Sequence, residues 1–338
     1  NKYLLRPVIE PGTLRATNQS LTVRPRLDLR SGPAYDRKIG CDDQVAIVTG
    51  ANTGLGKETA WELANRGAKV FMACRDMVKC EQARRDIVLE TNNKFVYCRP
   101  CDLASLESVR KFVERFKSEE PELHILVNNA GVMGVEKGVT KDGFETHLGV
   151  NHFGHFLLTN LLLDTLKASQ PSRVVILSSD AHKKGRIHKD DLNLDKKYDP
   201  TEAYNQSKLA NIHFVHVLTS IPDTKVSVAV VDPGLTDTEL TRHLPMTKSL
   251  SYYLIYPIFW PFMKTPKIGA QAVLHAALDP STSKCAGDYF VDMKKTTPSD
   301  NAQDVETALW LWKVSETWTK FQQIKKEALA FKLSAQFL

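Results

Sequence analysis

From Gln44 onward, short apolar runs alternate with longer amphipathic stretches. The apolar runs fall at 44–49, 69–74, 94–98, 123–128, 173–178 and 225–231, and Gly287-Asp288-Tyr289-Phe290-Val291 makes a seventh. Runs of this length, rich in Val and Ile, are the signature of strands buried on both faces. Between them, apolar positions recur at helical spacing over 55–66, 76–91, 105–119, 143–168 and 201–220. Asp76 and Ser105 stand where helix N-caps are expected. Strands alternating with helices predict βαβ units with right-handed crossovers. The expected fold is a single-domain, doubly wound parallel α/β sheet of about seven strands with helices on both faces. Ligands of such sheets sit at the carboxyl ends of the strands, near the point where strand order reverses. The chemistry is therefore to be sought at those ends.

Outside this pattern, residues 1–40 carry Pro7, Pro11, Gly12 and Pro25 with poor periodicity, and predict an extended lead-in. Residues 41–300 form the expected main domain, and 301–338 a helical extension with Trp310, Trp312 and Trp318 docked on the body. Within the domain, residues 240–266 suggest an apolar substrate lid. Its centre, Tyr252 to Met263, is aromatic and interrupted by Pro257 and Pro261. Two readings stay open for it: packing over the sheet edge, or a greasy segment dipping into a membrane interface, where Tyr and Trp settle well. No run is long and apolar enough to be a transmembrane helix. The sequence begins at Asn1 and not Met, which leaves a preceding anchor or signal open.

A net charge of +6, spread without like-charge blocks, argues for a solvated basic surface and against nucleic acid as a partner, while contact with an anionic lipid surface stays open. Six cysteines in 338 residues do not suggest a disulfide scaffold. Cys98-Arg99-Pro100-Cys101 has C-x-x-C spacing, but no second pair follows it, so no zinc or other metal site is expected. Two small thiols near a core edge, in a reducing intracellular compartment, are the favoured reading. The endoplasmic reticulum and mitochondrial membranes are the candidate surfaces for peripheral attachment, and a homodimer is left open.

The first strand end carries Thr49-Gly50-Ala51-Asn52-Thr53-Gly54-Leu55-Gly56. Strand, glycine turn and helix in that order can seat a phosphate. Glycine permits the turn and close backbone approach, and the free N–H groups at the helix start face the anion. After the second strand stands Arg75, where an NAD site would place a carboxylate. A guanidinium there suits the 2′-phosphate of NADP, although an ordinary exposed arginine would look the same. Asp102, followed by Leu103, offers a carboxylate to an adenine amine or caps the next helix. Asn128-Asn129-Ala130-Gly131 gives polar reach with close backbone approach, as turns without ligands also do. Ser178 and Ser179 end the fifth strand, and Tyr204 and Lys208 lie at i, i+4 on the following helix, where an ammonium would favour the phenolate.

Taken together, TGxxxGxG at 49–56, NNAG at 128–131, Asn151, Ser179 and Tyr204-x-x-x-Lys208 resemble the short-chain dehydrogenase/reductases, Rossmann-like enzymes, over residues 44 to 293. Ala73-Cys74-Arg75-Asp76, residues 149–159 and Tyr204 to Asn211 are closest to the retinol dehydrogenase branch. The resemblance implies NADP and an apolar aldehyde or alcohol, retinal/retinol or a similar lipid carbonyl. A steroid or other lipid ketone reductase and a non-catalytic nucleotide-binding scaffold are the alternatives. It implies Tyr204 as proton donor and acceptor and Ser179 as holder of the substrate oxygen. Lys208 would bind the nicotinamide ribose and tune Tyr204, and Asn151 would anchor a relay water, although a helix-interior residue satisfying backbone is an equal description of it. The implied cofactor residues are Gly50, Asn52, Thr53, Gly54, Leu55, Gly56, Arg75, Asp102, Leu103, Asn129, Ala130, Gly131, Tyr204, Lys208, Pro233, Gly234 and Thr236. His152 and His155 are expected to be packing or surface residues. Two departures stand out: a long Ser179–Tyr204 interval holding Lys183, Lys184, Arg186 and His188, and Asp232 before Pro233-Gly234, where the branch usually has histidine.

Overall fold

A computed structural model describes residues 33–221, 225–236 and 263–321. Among these residues eight strands form one sheet: β1 Val45–Thr49, β2 Lys69–Cys74, β3 Val96–Pro100, β4 Ile125–Asn128, β5 Arg173–Leu177, β6 Ser227–Asp232, β7 Ala286–Val291 and β8 Lys294–Thr296. Their order is β3-β2-β1-β4-β5-β6-β7-β8. All neighbours are parallel except β8, which returns antiparallel on β7. The expected seven strands are thus joined by a short eighth that the polar Lys294-Lys295-Thr296 gave no reason to expect. Strand order reverses between β1 and β4, which opens a crevice at their carboxyl ends.

Helices cover both faces. On one lie α1 Gly54–Asn65, α2 Met77–Thr91 and α7 Pro266–Leu278; on the other lie α3 Leu106–Glu119, α5 Gly154–Ala168, α6 Pro200–Ser220 and α8 Val305–Trp318. The strands alternate between two cores. In β1, Val45 and Ile47 enter the core with Phe116, Phe153 and Phe156, while Ala46 and Val48 enter the core with Leu63, Met72 and Leu274. Burial on both faces is the physical reason for continuous apolar runs in place of period-two alternation. Both expected caps are present. The Asp76 carboxylate accepts from Lys79 N, and the Ser105 hydroxyl accepts from Ser108 N. Asp76→Ala should lower stability by about 1 kcal/mol in urea unfolding, the usual worth of a lost N-cap. An unchanged midpoint would show that solvent replaces the cap.

Several expectations need correction. The third strand runs two residues later than its apolar centre suggested, through Arg99 and Pro100, paired with Ala73 and Cys74. The helix expected over 143–168 is broken into a turn, α4 Thr146–Leu148, a π-helical turn Gly149–Phe153, and α5. Cys98 is not a free thiol: it forms a disulfide with Cys80 that ties α2 to β3, which the reading of a reducing compartment did not anticipate. Cys41, Cys74, Cys101 and Cys285 are free and buried. No C-x-x-C redox pair therefore exists.

At the C-terminal side, α8 lies on α5 and α6. Trp312 meets Phe156 edge-on at 4.9 Å, Trp318 stacks on Phe144 at 5.3 Å, and Ser315 Oγ is 2.9 Å from His152 Nε2. Among the described residues no helix is long and apolar enough to cross a membrane, and no cluster could hold a metal ion. Residues 1–32 of the lead-in and 240–262 of the expected lid lie outside the described residues.

Candidate active site

The turn after β1 packs against the turn after β4, across the crevice. Gly50 has φ +64°, the left-handed region, and a Cβ there would lie 3.0 Å from Ala130 Cβ. A Cβ on Gly56 would lie 2.4 Å from both Asn129 Nδ2 and Gly50 O, so this turn closes only with glycine. Asn129 Nδ2 donates to Thr49 O at 2.8 Å. The N-cap of α1, Thr53, makes no side-chain capping bond, and no acid stands in the first turn. The N–H groups of Gly54, Leu55 and Gly56 are therefore left for a ligand, with Asn52 and Thr53 half-buried beside them. A cradle floored by glycine under an uncapped helix N-terminus fits the pyrophosphate of a dinucleotide.

Arg75, past the end of β2, is exposed and has no ion-pair partner among the described residues. Asp102 does not cap α3, because Ser105 does. Its Oδ1 accepts from Ala104 N at 3.1 Å, and Oδ2 lies 3.7 Å from Lys141 Nζ. Leu103 is buried under Gly154. On the opposite side, Thr236 Oγ1 donates to Gly234 O at 3.1 Å, and Lys264 Nζ donates to Pro233 O at 3.2 Å, which fixes the turn after β6.

Between these two walls four side chains converge. Tyr204 is buried, and the Ser179 hydroxyl stands close enough to favour its phenolate. Lys208 Nζ lies 5.6 Å from the Tyr204 ring centroid and donates to Leu177 O at 3.3 Å. An ideal Cβ on Gly131 would be 3.3 Å from Asn151 Oδ1 and 3.9 Å from Lys208 Nζ. Asn151 straddles backbone: Val132 N donates to its Oδ1 at 2.8 Å, and its Nδ2 donates to Val132 O and to Ser207 Oγ at 3.0 and 2.9 Å. It sits inside the π-helical turn, a distortion common at functional sites.

The expected electrostatics need one correction. Burial pushes Tyr204 up to about 12. The Ser179 hydroxyl opposes this and the Asp232 charge adds to it, whereas the i, i+4 ammonium is not among the causes of the shift. Burial brings Lys208 down to about 8, against the pull of Asp232. At neutral pH the phenol keeps its proton and the ammonium is close to titrating. Such a pair can donate a proton to a developing oxyanion that Ser179 also contacts.

Three residues that the sequence reading named without these contacts also take part. Thr49 Oγ1 accepts from Asn129 N and Ala130 N, each at 2.9 Å, and lies 2.9 Å from His155 Nε2. His155 Nδ1 faces Asn151 O at 3.0 Å, so Nδ1 carries the proton and Nε2 accepts from Thr49. Burial keeps that imidazole neutral, its value lowered to about 4. Of the two expectations for His152 and His155, packing holds: both are buried, and His155 ties β1 to the backbone of Asn151. The third participant is Asp232. Its Oδ1 accepts from Gly234 N at 2.8 Å and its Oδ2 from Tyr289 OH at 3.2 Å.

A family profile described as short chain dehydrogenase matches residues 44–249. Human retinol dehydrogenase 12 is 49% identical over 273 residues, 80% of this chain and 85% of that protein. Human retinol dehydrogenase 13 is 47% identical over 315 residues, 92% and 93% of the two chains. Among solved structures, a short chain dehydrogenase of Escherichia coli CFT073 complexed with NADPH is 25% identical. It superposes with a TM-score of 0.60 over 76% of this chain and 100% of its own.

Proposed function

Since the chain belongs to the short chain dehydrogenase family, in its retinol dehydrogenase branch, we propose that this nicotinamide-dependent oxidoreductase uses NADP and acts on an apolar aldehyde/alcohol pair, retinal/retinol or a similar lipid carbonyl. The observation that carries the reading is the convergence of Ser179, Tyr204, Lys208 and Asn151 beside the glycine cradle at the strand-order reversal.

When bound, the nicotinamide supplies the hydride. Gly50, Asn52, Thr53 and the amides of Gly54, Leu55 and Gly56 receive the phosphates. Arg75 grips the 2′-phosphate, and Asp102, Leu103, Asn129, Ala130 and Gly131 line the adenosine and ribose side. Pro233, Gly234 and Thr236 present backbone to the carboxamide. Ser179 and Tyr204 hold the substrate oxygen, Tyr204 donates the proton in reduction, and Lys208 holds the ribose hydroxyls and the charge balance of Tyr204. Asn151 keeps the π-helical turn docked on Val132, and a relay water would use the second lone pair of its backbone carbonyl.

The test is a panel of retinal, long- and short-chain aldehydes and steroid ketones with NADPH oxidation as readout, run on the wild type and on Arg75→Ala. Retinal or a long-chain aldehyde should lead the panel. The kcat/KM preference for NADPH over NADH should fall by about tenfold or more in Arg75→Ala, as expected for loss of a charge-assisted bidentate contact. A steroid leading the panel would move the assignment to the ketone reductases. An unchanged NADPH/NADH ratio would remove Arg75 from the cofactor site.

A further inference from the structure

Asp232 is buried at the end of β6, and both of its carboxylate oxygens are held, by Gly234 N and Tyr289 OH. Its strand neighbour Val231 is in register with Leu177, whose carbonyl accepts from Lys208 Nζ. The groups around the carboxylate leave its charge with few answers. Tyr289, on β7, stays a neutral donor because burial and Asp232 itself push its proton affinity up. His182, in the turn after β5, packs edge-on against Tyr289 at 5.1 Å. Its Nδ1 donates to Ser179 O at 2.7 Å and its Nε2 accepts from Ser299 N at 3.2 Å, so it is a neutral imidazole. Lys183 is exposed and paired with Asp180. Lys264 is paired with Asp292. On α6 stand Tyr204 and Lys208, the latter the one buried cation near Asp232 among the described residues.

We propose that Asp232 is a positioning residue for the reaction, its carboxylate fixed by Gly234 and Tyr289 as the buried counter-charge that keeps the Tyr204–Lys208 pair protonated at neutral pH. The proposal rests on the catalytic reading of Tyr204 and Lys208. Lys208 Nζ lies over the Tyr204 ring, and a neighbouring negative charge holds protons on both groups. The sign is therefore the same whichever member loses its proton first. The same carboxylate also orders the Gly234 turn beside the nicotinamide side of the site, which couples the charge to the geometry of that wall.

The experiment compares pH–rate profiles of full-length wild type, Asp232→Asn and Tyr289→Phe. Asparagine preserves size and two hydrogen-bonding atoms while deleting the charge. In Asp232→Asn the limb that falls in reduction and rises in oxidation should move to lower pH by about one unit. In Tyr289→Phe, where the charge stays, the limb should stay in place. Coincident wild-type and Asp232→Asn profiles, or an equal displacement in Tyr289→Phe, would overturn the proposal. Should Asp232→Asn fail to fold, Asp232→Ser carries the same expectation. A second readout needs no turnover: the ultraviolet tyrosinate absorbance that disappears in Tyr204→Phe should develop at lower pH in Asp232→Asn. If the wild type reduces no carbonyl in the panel, the catalytic reading fails, and this absorbance titration still decides whether Asp232 governs the pair.

Discussion

Tyr204→Phe is expected to lower carbonyl reduction by about a hundred- to ten-thousand-fold, the usual worth of a positioned general acid, while the protein stays folded and still binds NADPH. The ring is buried, edge-on to His147 at 6.3 Å and beneath Lys208 Nζ at 5.6 Å. Phenylalanine keeps those contacts and loses only the hydroxyl beside Ser179. One neutral hydrogen bond is worth about 1 kcal/mol to stability, so the loss of rate should far exceed any loss of fold. Turnover and NADPH fluorescence titration on one preparation separate chemistry from binding. Near-normal turnover would remove Tyr204 from the chemistry and with it the family's mechanism for this chain.

The second large effect concerns Lys208, where function and stability pull in opposite directions. Burial lowers its value from 10.5 to about 8. Between those values the unfolded chain binds a proton that the folded chain does not, so the contribution of Lys208 to stability rises with pH across that window and is unfavourable at neutrality. Lys208→Met should abolish most activity yet stabilise the cofactor-free protein near pH 7, on the order of 3 kcal/mol from the size of the shift. Urea unfolding of both proteins from neutral to alkaline pH checks this, because the difference between them isolates the lysine. It should shrink as pH rises through the window. A difference that does not change with pH would show that Lys208 finds its charge fully compensated.

How much of this was legible follows from the range of the interactions concerned. The strands were, because β1, β2, β5 and β6 are buried on both faces and their apolar runs leave no other reading. The caps at Asp76 and Ser105 were, because a cap acts within three residues. The π-helical turn was not. Its apolar residues keep helical spacing, and its cause, the grip of Asn151 on Val132, is a tertiary contact. The Thr49–His155 bridge joins residues 106 apart, and the Cys80–Cys98 disulfide joins a helix to a strand with no motif to announce it. Of the four side chains that converge, Ser179, Tyr204 and Lys208 could be named because they stand at a strand end or on the helix behind it, whereas Asn151, inside a helical turn, was named only by the resemblance. The electrostatics of the site were not legible: the i, i+4 spacing of Tyr204 and Lys208 suggested a lowered phenol, and burial, invisible in a sequence, reverses the direction.

The docking of α8 has a consequence for the order of synthesis. The helices bearing Asn151 and Tyr204 are made well before Val305–Trp318, the element whose Trp312 closes over Phe156 and Phe214. A nascent chain therefore holds every proposed catalytic side chain while the faces of Phe156 and Phe214 that α8 covers are still bare and greasy. Domains fold as units, N-terminal parts first, and transiently exposed apolar surface of this kind invites aggregation. A premature stop between Lys208 and Val305 would leave every proposed catalytic side chain in the chain and still produce a client for chaperones and proteases, so the genetic lesions that abolish this enzyme should extend well downstream of its last catalytic residue.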